Sequence, residues 1–221
     1  MNIEKNISRR SALKASLGMA ASALITGNAV AQSIANSCGV TPAQPEGPFY
    51  PETLPKDDDS DLTFVNGKIG SAKGRIILVG GQVTDSDCNL ISGAVVEIWQ
   101  ACSTGKYNHS GDPNPAKLDP NFQYWGRSIT DSNGEYQFKT IYPGPYPASA
   151  DWIRPSHIHY KVQKRGYREL TTQLYFAGDP YNETDLILQQ LSLEEQKKVI
   201  SAVNEISPIP NVEFHIQLEK I

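Results

Sequence analysis

The sequence predicts a mainly β fold: an antiparallel β-sandwich with an extended N-terminal arm and one or two short peripheral helices. The 221-residue chain contains 17 glycines and 15 prolines, and long stretches of helix-forming residues are scarce. From residue 75 onward, short runs rich in β-branched and aromatic residues alternate with turn signals, which is the pattern of many short strands. The hydrophobic content of 39% is enough for one core. We therefore expect one domain behind a leader segment.

The N-terminus is typical of a signal peptide. Ser8-Arg9-Arg10-Ser11-Ala12-Leu13-Lys14 precedes a mildly apolar stretch, and Ala29-Val30-Ala31 forms a cleavage signal. The paired arginines indicate the bacterial twin-arginine route, and glycines interrupt a stretch that is already too short for a membrane span. We therefore expect a signal peptide at residues 1–31, an arm and linker at 32–74 and the sandwich domain at 75–221. The mature protein should be exported, periplasmic and free of stable membrane insertion.

Charge and cysteine content exclude several classes of protein. The formal net charge is −4, and the leader is basic, so the mature chain is more acidic still and nucleic acid is not an expected partner. The acidic run at residues 57–61 lacks EF-hand spacing and is interpreted as a solvated loop without function. Three cysteines, Cys38, Cys88 and Cys102, are too few for a disulfide scaffold and do not determine a pairing.

The individual elements follow from local patterns. Residues 41–55 are rich in proline and predict an extended arm draped over the domain. The turn Asp131-Ser132-Asn133-Gly134 predicts a hairpin. A capping box that begins at Ser192 predicts a helix, with Val199, Val203 and Ile206 at helical spacing. Strands are predicted over residues 75–84, 94–101, 126–130, 135–141, 157–163, 170–176 and 212–218, mostly paired antiparallel.

Two histidines and two tyrosines are the candidate metal-binding residues. His157 and His159 alternate with apolar residues along a predicted strand, so both imidazoles should face the same side, as half of a metal site does. Tyr146 is braced by prolines in Gly144-Pro145-Tyr146-Pro147, and Tyr107 follows the strand at 94–101. Taken singly, each histidine or tyrosine is also explained as an ordinary packing residue.

Several segments together resemble the intradiol ring-cleavage dioxygenases, most of all the protocatechuate 3,4-dioxygenase branch. They are residues 96–101, 105–107, 126–127, 130–131, 143–147, 154–159 and 172–176, and the similarity runs in order from about Glu46 to Asp179. The resemblance implies that one iron(III) ion is bound by Tyr107, Tyr146, His157 and His159. It also implies that Arg154 and Gln173 steady the substrate and its anionic intermediates, and that Tyr146 is the ligand that leaves when substrate binds.

The chemistry of these residue types fits such an ion. A phenol of pKa about 10 must lose its proton to bind well, and a trivalent metal enforces that loss. Two histidines with a carboxylate would instead indicate iron(II), and three or four Cys or His ligands would indicate zinc. Iron(III), two tyrosinates and one hydroxide are neutral together. A catechol that delivers one proton to the hydroxide and one to Tyr146 preserves that neutrality, so no separate general base is needed.

The expected activity is cleavage of a catechol-type ring between its two hydroxylated carbons with O2, giving a cis,cis-muconate-type product. The partners are therefore a small catechol-type substrate and O2, and a homo-oligomer is possible. Protocatechuate enzymes usually have a tryptophan directly after the Tyr-Pro pair, whereas this chain has Ala148, so a substituted or larger catechol is expected.

Two other interpretations remain open. The segments at 81–85 and 130–136 also occur in non-catalytic sandwiches of the transthyretin (prealbumin) type, whose framework the fold is expected to share. A zinc or copper protein that uses His157, His159 and His109 is the second. We place His109 and His215 outside the iron site, on an exposed loop and on a strand face.

Overall fold

A computed structural model of the chain describes residues 39–221, so the predicted leader and Cys38 lie outside the described residues. The described part is mainly β, with one α-helix and two single 3-10 turns at Asn182–Thr184 and Leu188–Gln190. Its strands are β1 (Ile76–Asp85), β2 (Val95–Trp99), β3 (Trp125–Ile129), β4 (Glu135–Ile141), β5 (Tyr146–Ser149), β6 (Trp152–Arg154), β7 (His157–Gln163), β8 (Leu170–Phe176), β9 (Ile200–Ser201), β10 (Val203–Asn204), β11 (Asn211–Glu213) and β12 (Ile216–Leu218).

Two five-stranded sheets carry the fold. The first has the order β10-β11-β1-β12, with β4 paired to the other side of β1, and the second has the order β3-β2-β7-β8-β9. Pairs between β1 and β4, β2 and β3, β2 and β7, and β7 and β8 are antiparallel, as predicted. However, β1 pairs in parallel with β11 and β12, and β8 pairs in parallel with β9. The predicted antiparallel pairing therefore holds for these four pairs, but both sheets are mixed, because β11 and β12 run along β1 and β9 runs along β8 in the same direction.

Both sheets contribute to one buried core. Ile77 and Val79 of β1 belong to the same apolar cluster as Ile98 of β2 and Ile158 of β7, and none of the four is exposed. Because strand side chains alternate between faces, the opposite face of β7 is left for polar residues. A transthyretin-like connectivity of the two sheets stays a prediction.

The predicted strand over residues 212–218 is divided into β11 and β12. The backbone leaves the ladder at Phe214 and His215, where the chain crosses Gly80 and Gly81. A side chain at Gly81 would bring its Cβ within 2.2 Å of the Phe214 carbonyl oxygen, so only glycine permits this crossing. The break depends on a contact between distant segments, and alternation within 212–218 does not reveal it.

The helix α1 (Leu193–Val199) begins as predicted but ends early. Ser192 accepts a hydrogen bond from the backbone of Glu195, and the Glu195 carboxylate accepts one from the Ser192 backbone, which completes the capping box. The chain then becomes extended at Ile200, which pairs with Tyr175 of β8. The prediction that Val203 and Ile206 continue the helix was wrong, because strand pairing with β8 and β11 overrides the helical spacing.

The arm lies along the edges of β8 and β12. The Thr41 amide donates to the Gln217 carbonyl at 3.0 Å, and the Gln44 amide donates to the Thr171 carbonyl at 2.8 Å. The divisions at residues 31 and 74 stay predictions. Among residues 39–221, Cys102 is a buried free thiol and Cys88 is disulfide-bonded, and none of the helices has the length and apolar character that crossing a bilayer requires.

Candidate metal centre

The strand β7 presents two histidines on one face. His157 and His159 are both about 2% exposed, and their Nε2 atoms lie 3.2 Å apart. Metal–nitrogen bonds of about 2.1 Å place two ligand nitrogens on the same ion roughly 3 Å apart. Ile158 and Tyr160 point to the opposite face and are buried in the core. The two imidazoles thus converge on a common point with the separation that shared coordination requires.

The two tyrosines meet these histidines from separate loops. The Tyr107 hydroxyl lies 3.3 Å from His157 Nε2. The Tyr146 ring stands edge-on to the Tyr107 ring with centroids 5.5 Å apart, and its centroid is 5.7 Å from that of His157. The structure therefore brings together all four predicted ligands, two phenols and two imidazoles.

A close backbone contact between Gly105 and Pro145 limits the distance between the chain segments that carry Tyr107 and Tyr146. Tyr107 is held by a hydrogen bond from its amide to Asp112 Oδ2 at 2.7 Å. Gly105, with φ +78°, packs so closely on the facing loop that a Cβ there would lie 2.3 Å from the Pro145 carbonyl oxygen. Since glycine alone allows this approach, Gly105 determines how far Tyr107 lies from Tyr146.

The donor set decides which metals fit. Within residues 39–221, no three His, Cys, Asp or Glu side chains are arranged to hold a metal ion. An ion bound by His157 and His159 would therefore take its further protein donors from the phenol oxygens of Tyr107 and Tyr146. Phenolate donors suit a highly charged, hard ion such as iron(III) and are not the ligands of structural zinc. The residues present thus fit iron(III).

Burial controls the protonation of these groups. It raises the pKa of Tyr107 well above its usual value, with a further rise from Tyr146, whereas the charge of Arg154 lowers it. Burial also raises the pKa of Tyr146, against the lowering effect of Arg154. The pKa values of His157 and His159 are well below the usual range, first because of burial and then because of Arg154. At neutral pH the pocket holds neutral phenols and neutral imidazoles, so a bound cation must displace phenol protons.

Arg154 is fixed beside this pocket by buried partners. Its Nε donates to Asp185 Oδ2 at 2.7 Å, and its Nη2 donates to Gln173 Oε1 at 2.7 Å and to Tyr175 Oη at 3.2 Å. The structure thus joins both predicted substrate-steadying residues, Arg154 and Gln173, in one network. Asp185 and Tyr175, which sequence reasoning missed, complete it.

The arm closes the network and covers the pocket. Gln44 Nε2 donates to Tyr175 Oη at 3.1 Å, and Gln173 Nε2 donates to the Pro45 carbonyl at 3.0 Å. The Phe49 ring then packs on Tyr107, with centroids 4.7 Å apart. The sequence predicts residues 41–55 only as an extended arm, and nothing local in Glu46-Gly47-Pro48-Phe49-Tyr50 indicates that this segment borders the site.

The remaining histidines lie apart from the four donors. His109 Nδ1 accepts the Gly111 amide at 3.0 Å, and its ring centroid is 5.7 Å from that of Phe49. Its side chain is 13% exposed, so the expectation of an exposed histidine was wrong, because Phe49 packs beside it. His215 Nδ1 accepts the Gln82 amide at 3.2 Å at the junction of β11 and β12.

In the loop at residues 57–61, Asp58 pairs with Arg127, so part of the acidic run is neutralised by ion pairing.

The family model described as "Dioxygenase" matches residues 45–219 of the chain. The chain belongs to this dioxygenase family. Among curated members, the protocatechuate 3,4-dioxygenase beta chain of Burkholderia cepacia is 40% identical over 147 residues, which is 65% of this chain and 62% of that protein. The catechol 1,2-dioxygenase of Candida albicans is 37% identical over 160 residues, 64% of this chain and 48% of that one. This family member therefore spans less than two thirds of either relative.

Solved structures of dioxygenases share the fold over most of the chain. The dioxygenase domain of a carbohydrate-binding fusion protein from Streptomyces sp. SirexAA-E superposes with a TM-score of 0.63 at 30% identity, covering 82% of this chain and 99% of that one. An intradiol ring-cleavage dioxygenase from Tetranychus urticae gives a TM-score of 0.63 at 25% identity, covering 82% and 95%. The structural similarity thus extends over 82% of the chain in both comparisons, in agreement with the family match.

Proposed function

We propose that this protein is a non-haem iron(III) intradiol dioxygenase. It splits a catechol-type ring between the two hydroxylated carbons and places both atoms of O2 in a cis,cis-muconate-type product. The observation that carries the proposal is the buried convergence of two phenols and two imidazoles, with Tyr107 Oη 3.3 Å from His157 Nε2 and the two Nε2 atoms 3.2 Å apart. Membership of the dioxygenase family supports the same reaction.

Tyr107, Tyr146, His157 and His159 would hold the ion. When bound, iron(III) supplies electron withdrawal from a chelated catecholate, which makes a hydroxylated ring carbon reactive toward O2. His157 would bind the ion as a neutral imidazole through its unprotonated Nε2, because its Nδ1 carries the proton and donates it to the Pro155 carbonyl at 2.7 Å.

Tyr146 is the residue that receives a substrate proton. It is the buried first residue of β5, whose other three residues are exposed, so it stands where the buried site meets the exposed part of that strand. The positive charge of Arg154 lowers the pKa of Tyr146, against the larger effect of burial. Tyr146 Oη would accept one of the two catechol protons and the other would leave to solvent, so a catechol would bind as a dianion without a separate general base.

Arg154 supplies fixed positive charge where the substrate becomes anionic. Its side chain is 4% exposed, and Asp185, Gln173 and Tyr175 hold it before substrate arrives. A preorganised donor of this kind contributes on the order of 3 kcal/mol to the transition state. Gln173 keeps the guanidinium oriented through its Oε1 atom and is itself anchored to the arm.

Two features bear on which substrates fit: Phe49 packs on Tyr107, and the small residue Ala148 is exposed close to Tyr146 in the chain. Phe49 packs on Tyr107 and limits access of water to the reacting carbon. Directly after Tyr146, β5 and β6 pair with a register shift between Pro147 and Ser149, and Ala148 at this irregularity is exposed. A small residue at an exposed bulge leaves room for a ring substituent. The substrate class is therefore a substituted or larger catechol.

Anaerobic titration with a panel of catechols tests the activity. The iron-loaded protein should be red-brown from tyrosinate-to-iron charge transfer, its absorption band should change when a catechol binds, and admission of O2 should then consume the catechol. No spectral change with any catechol would remove the enzyme interpretation and leave a non-catalytic sandwich module. Colourless protein that contains zinc or copper would instead support the second alternative.

We also propose that the enzyme works outside the cytoplasm, on the basis of Arg9, Arg10 and the cleavage signal at residues 29–31. Cell fractionation of the host that expresses the full chain should find the protein in the periplasm. The double variant Arg9→Lys/Arg10→Lys should remain in the cytoplasm, and unchanged export of that variant would reject the twin-arginine route.

A further inference from the structure

The two candidate histidine ligands differ in how their rings are held. His157 Nδ1 donates to the Pro155 carbonyl at 2.7 Å, which fixes both its tautomer and its orientation. His159 Nδ1 is buried and has no hydrogen-bond partner among residues 39–221. Metal-binding histidines almost always donate their second ring nitrogen to an oxygen atom, so His159 departs from the usual arrangement.

Trp99 occupies the face of the His159 ring. The two residues are directly opposed on β2 and β7. Their rings are nearly parallel, with an interplanar angle of 9° and centroids 4.7 Å apart. Such a stack restricts rotation of the imidazole about its side-chain torsion, which a hydrogen bond at Nδ1 does for most ligands.

Trp99 is in turn held rigidly. It is 1% exposed, and the Tyr50 ring meets it edge-on with centroids 4.9 Å apart. The Tyr50 hydroxyl donates to Glu97 at 2.8 Å, which ties the arm to β2. On the Cε1 edge of His159, Gly47 approaches so closely that a Cβ there would lie 3.4 Å from Cε1.

We propose that Trp99 is a positioning residue for His159, and that it orients the imidazole toward the metal by ring stacking in place of a hydrogen bond. This proposal rests on the iron site of the proposed function. It assigns Trp99 no contact with the reacting atoms. Its consequence is that iron affinity depends on an aromatic ring at position 99, and not only on filled space there.

Iron affinity of full-length variants tests the proposal. Trp99→Leu fills much of the space without a stacking ring, and it should weaken iron(III) binding by about 10–100-fold, the usual effect of removing a group that orients a metal ligand. Trp99→Phe keeps a ring and should recover most of that loss. Affinity is measured by chelator competition, and the charge-transfer band and electron paramagnetic resonance spectrum of the bound ferric ion report the geometry of the site.

Trp125→Leu is the matched control. Trp125 is the direct neighbour of Trp99 on β3, is equally buried and lies in the same aromatic cluster, but it has no ring contact with His159. It should lower the unfolding free energy of the metal-free protein as Trp99→Leu does, while iron affinity and ferric spectra stay at wild-type values. If Trp99→Leu does not fold, Trp99→Met, a flexible side chain that adapts to buried space, replaces it with the same expected loss.

The outcomes distinguish the positioning role of Trp99 from the iron site on which that role depends. Wild-type iron affinity in Trp99→Leu or Trp99→Met, or an equal loss in Trp125→Leu, would overturn the positioning role while the wild-type enzyme still binds iron and cleaves catechols. Failure of Trp99→Phe to recover affinity would also overturn it. Wild-type protein that takes up no iron would instead reject the iron site itself, and the positioning role with it.

Discussion

Replacement of Arg154 should expose the energetic cost of an unpaired buried charge. The side chains of Arg154 and Asp185 are 4% and 0% exposed and are joined at 2.7 Å. Exposed ion pairs contribute about 0–1 kcal/mol, but removal of one partner from a buried pair costs about 3–5 kcal/mol, because the other charge loses its compensation. We therefore expect Arg154→Leu to lower the unfolding free energy by about 3–5 kcal/mol.

A double-mutant cycle isolates the pairing energy. Asp185→Asn keeps the Oδ1 atom that accepts the Ile187 and Leu188 amides. It removes the charge and the Oδ2 acceptor of Arg154 Nε, because an NH2 group takes the place of Oδ2. The double variant should lose less stability than the two single losses together, by about 2–3 kcal/mol. Urea unfolding of metal-free protein measures this, because bound iron would add its own binding energy to the apparent stability.

Turnover separates the electrostatic role of Arg154 from its structural one. Arg154→Leu should lower kcat by about 100–1000-fold, as loss of a preorganised donor does. Asp185→Asn leaves the guanidinium bonded to Gln173 and Tyr175 and should lower kcat much less. Stability losses that add within about 0.5 kcal/mol would refute the buried-pair reasoning. Equal turnover in both single variants would refute the catalytic role.

Three further predictions follow from single features. Tyr107→Phe should abolish iron binding or bleach the red-brown colour, because the phenolate is lost; full retention of iron content and visible absorption would show that the ligand assignment is wrong. In thermal unfolding, Gly105→Ala should destabilise the protein by about 1–3 kcal/mol more than Gly67→Ala does. Both glycines have φ +78°, but a Cβ at Gly105 would lie 2.3 Å from a carbonyl oxygen, whereas a Cβ at Gly67 would meet no atom within 4 Å. The pKa of Asp85 is lowered, mainly by a hydrogen bond from the Asn89 side chain. The ionised carboxylate therefore stabilises the folded protein above the unfolded pKa of about 3.9, and this contribution is lost as pH falls through the lower folded pKa. The difference in unfolding free energy between wild type and Asp85→Asn should shrink from pH 5 to pH 2, and a constant difference would contradict this.

Local patterns predicted the elements whose ends depend on local chemistry. The bounds of β4, β7 and β8 agree with the predicted strands, since alternation and flanking turns determine them. The division at Phe214 and the early end of α1 were missed because both depend on distant contacts, with Gly81 and with β8. Local periodicity signals neither.

The same distinction applies to the site. Alternation along β7 was enough to place His157 and His159 on one face. Asp185 lies beside a 3-10 turn far from any motif, and Trp99 belongs to an ordinary buried strand. Their contacts with Arg154 and His159 arise only when β2, β7 and the segment after β8 assemble. A single sequence carries no local signal for such partners.

The arm has a kinetic consequence. Thr41 hydrogen-bonds Gln217, 176 positions later, so this part of the arm docks only once β12 is in place. Contacts of such long sequence separation form late and slowly. Gln44 and Phe49 belong to the same arm and contact Tyr175 and Tyr107. The four donors are therefore covered only when the arm docks, which couples access of an ion to a late step of folding.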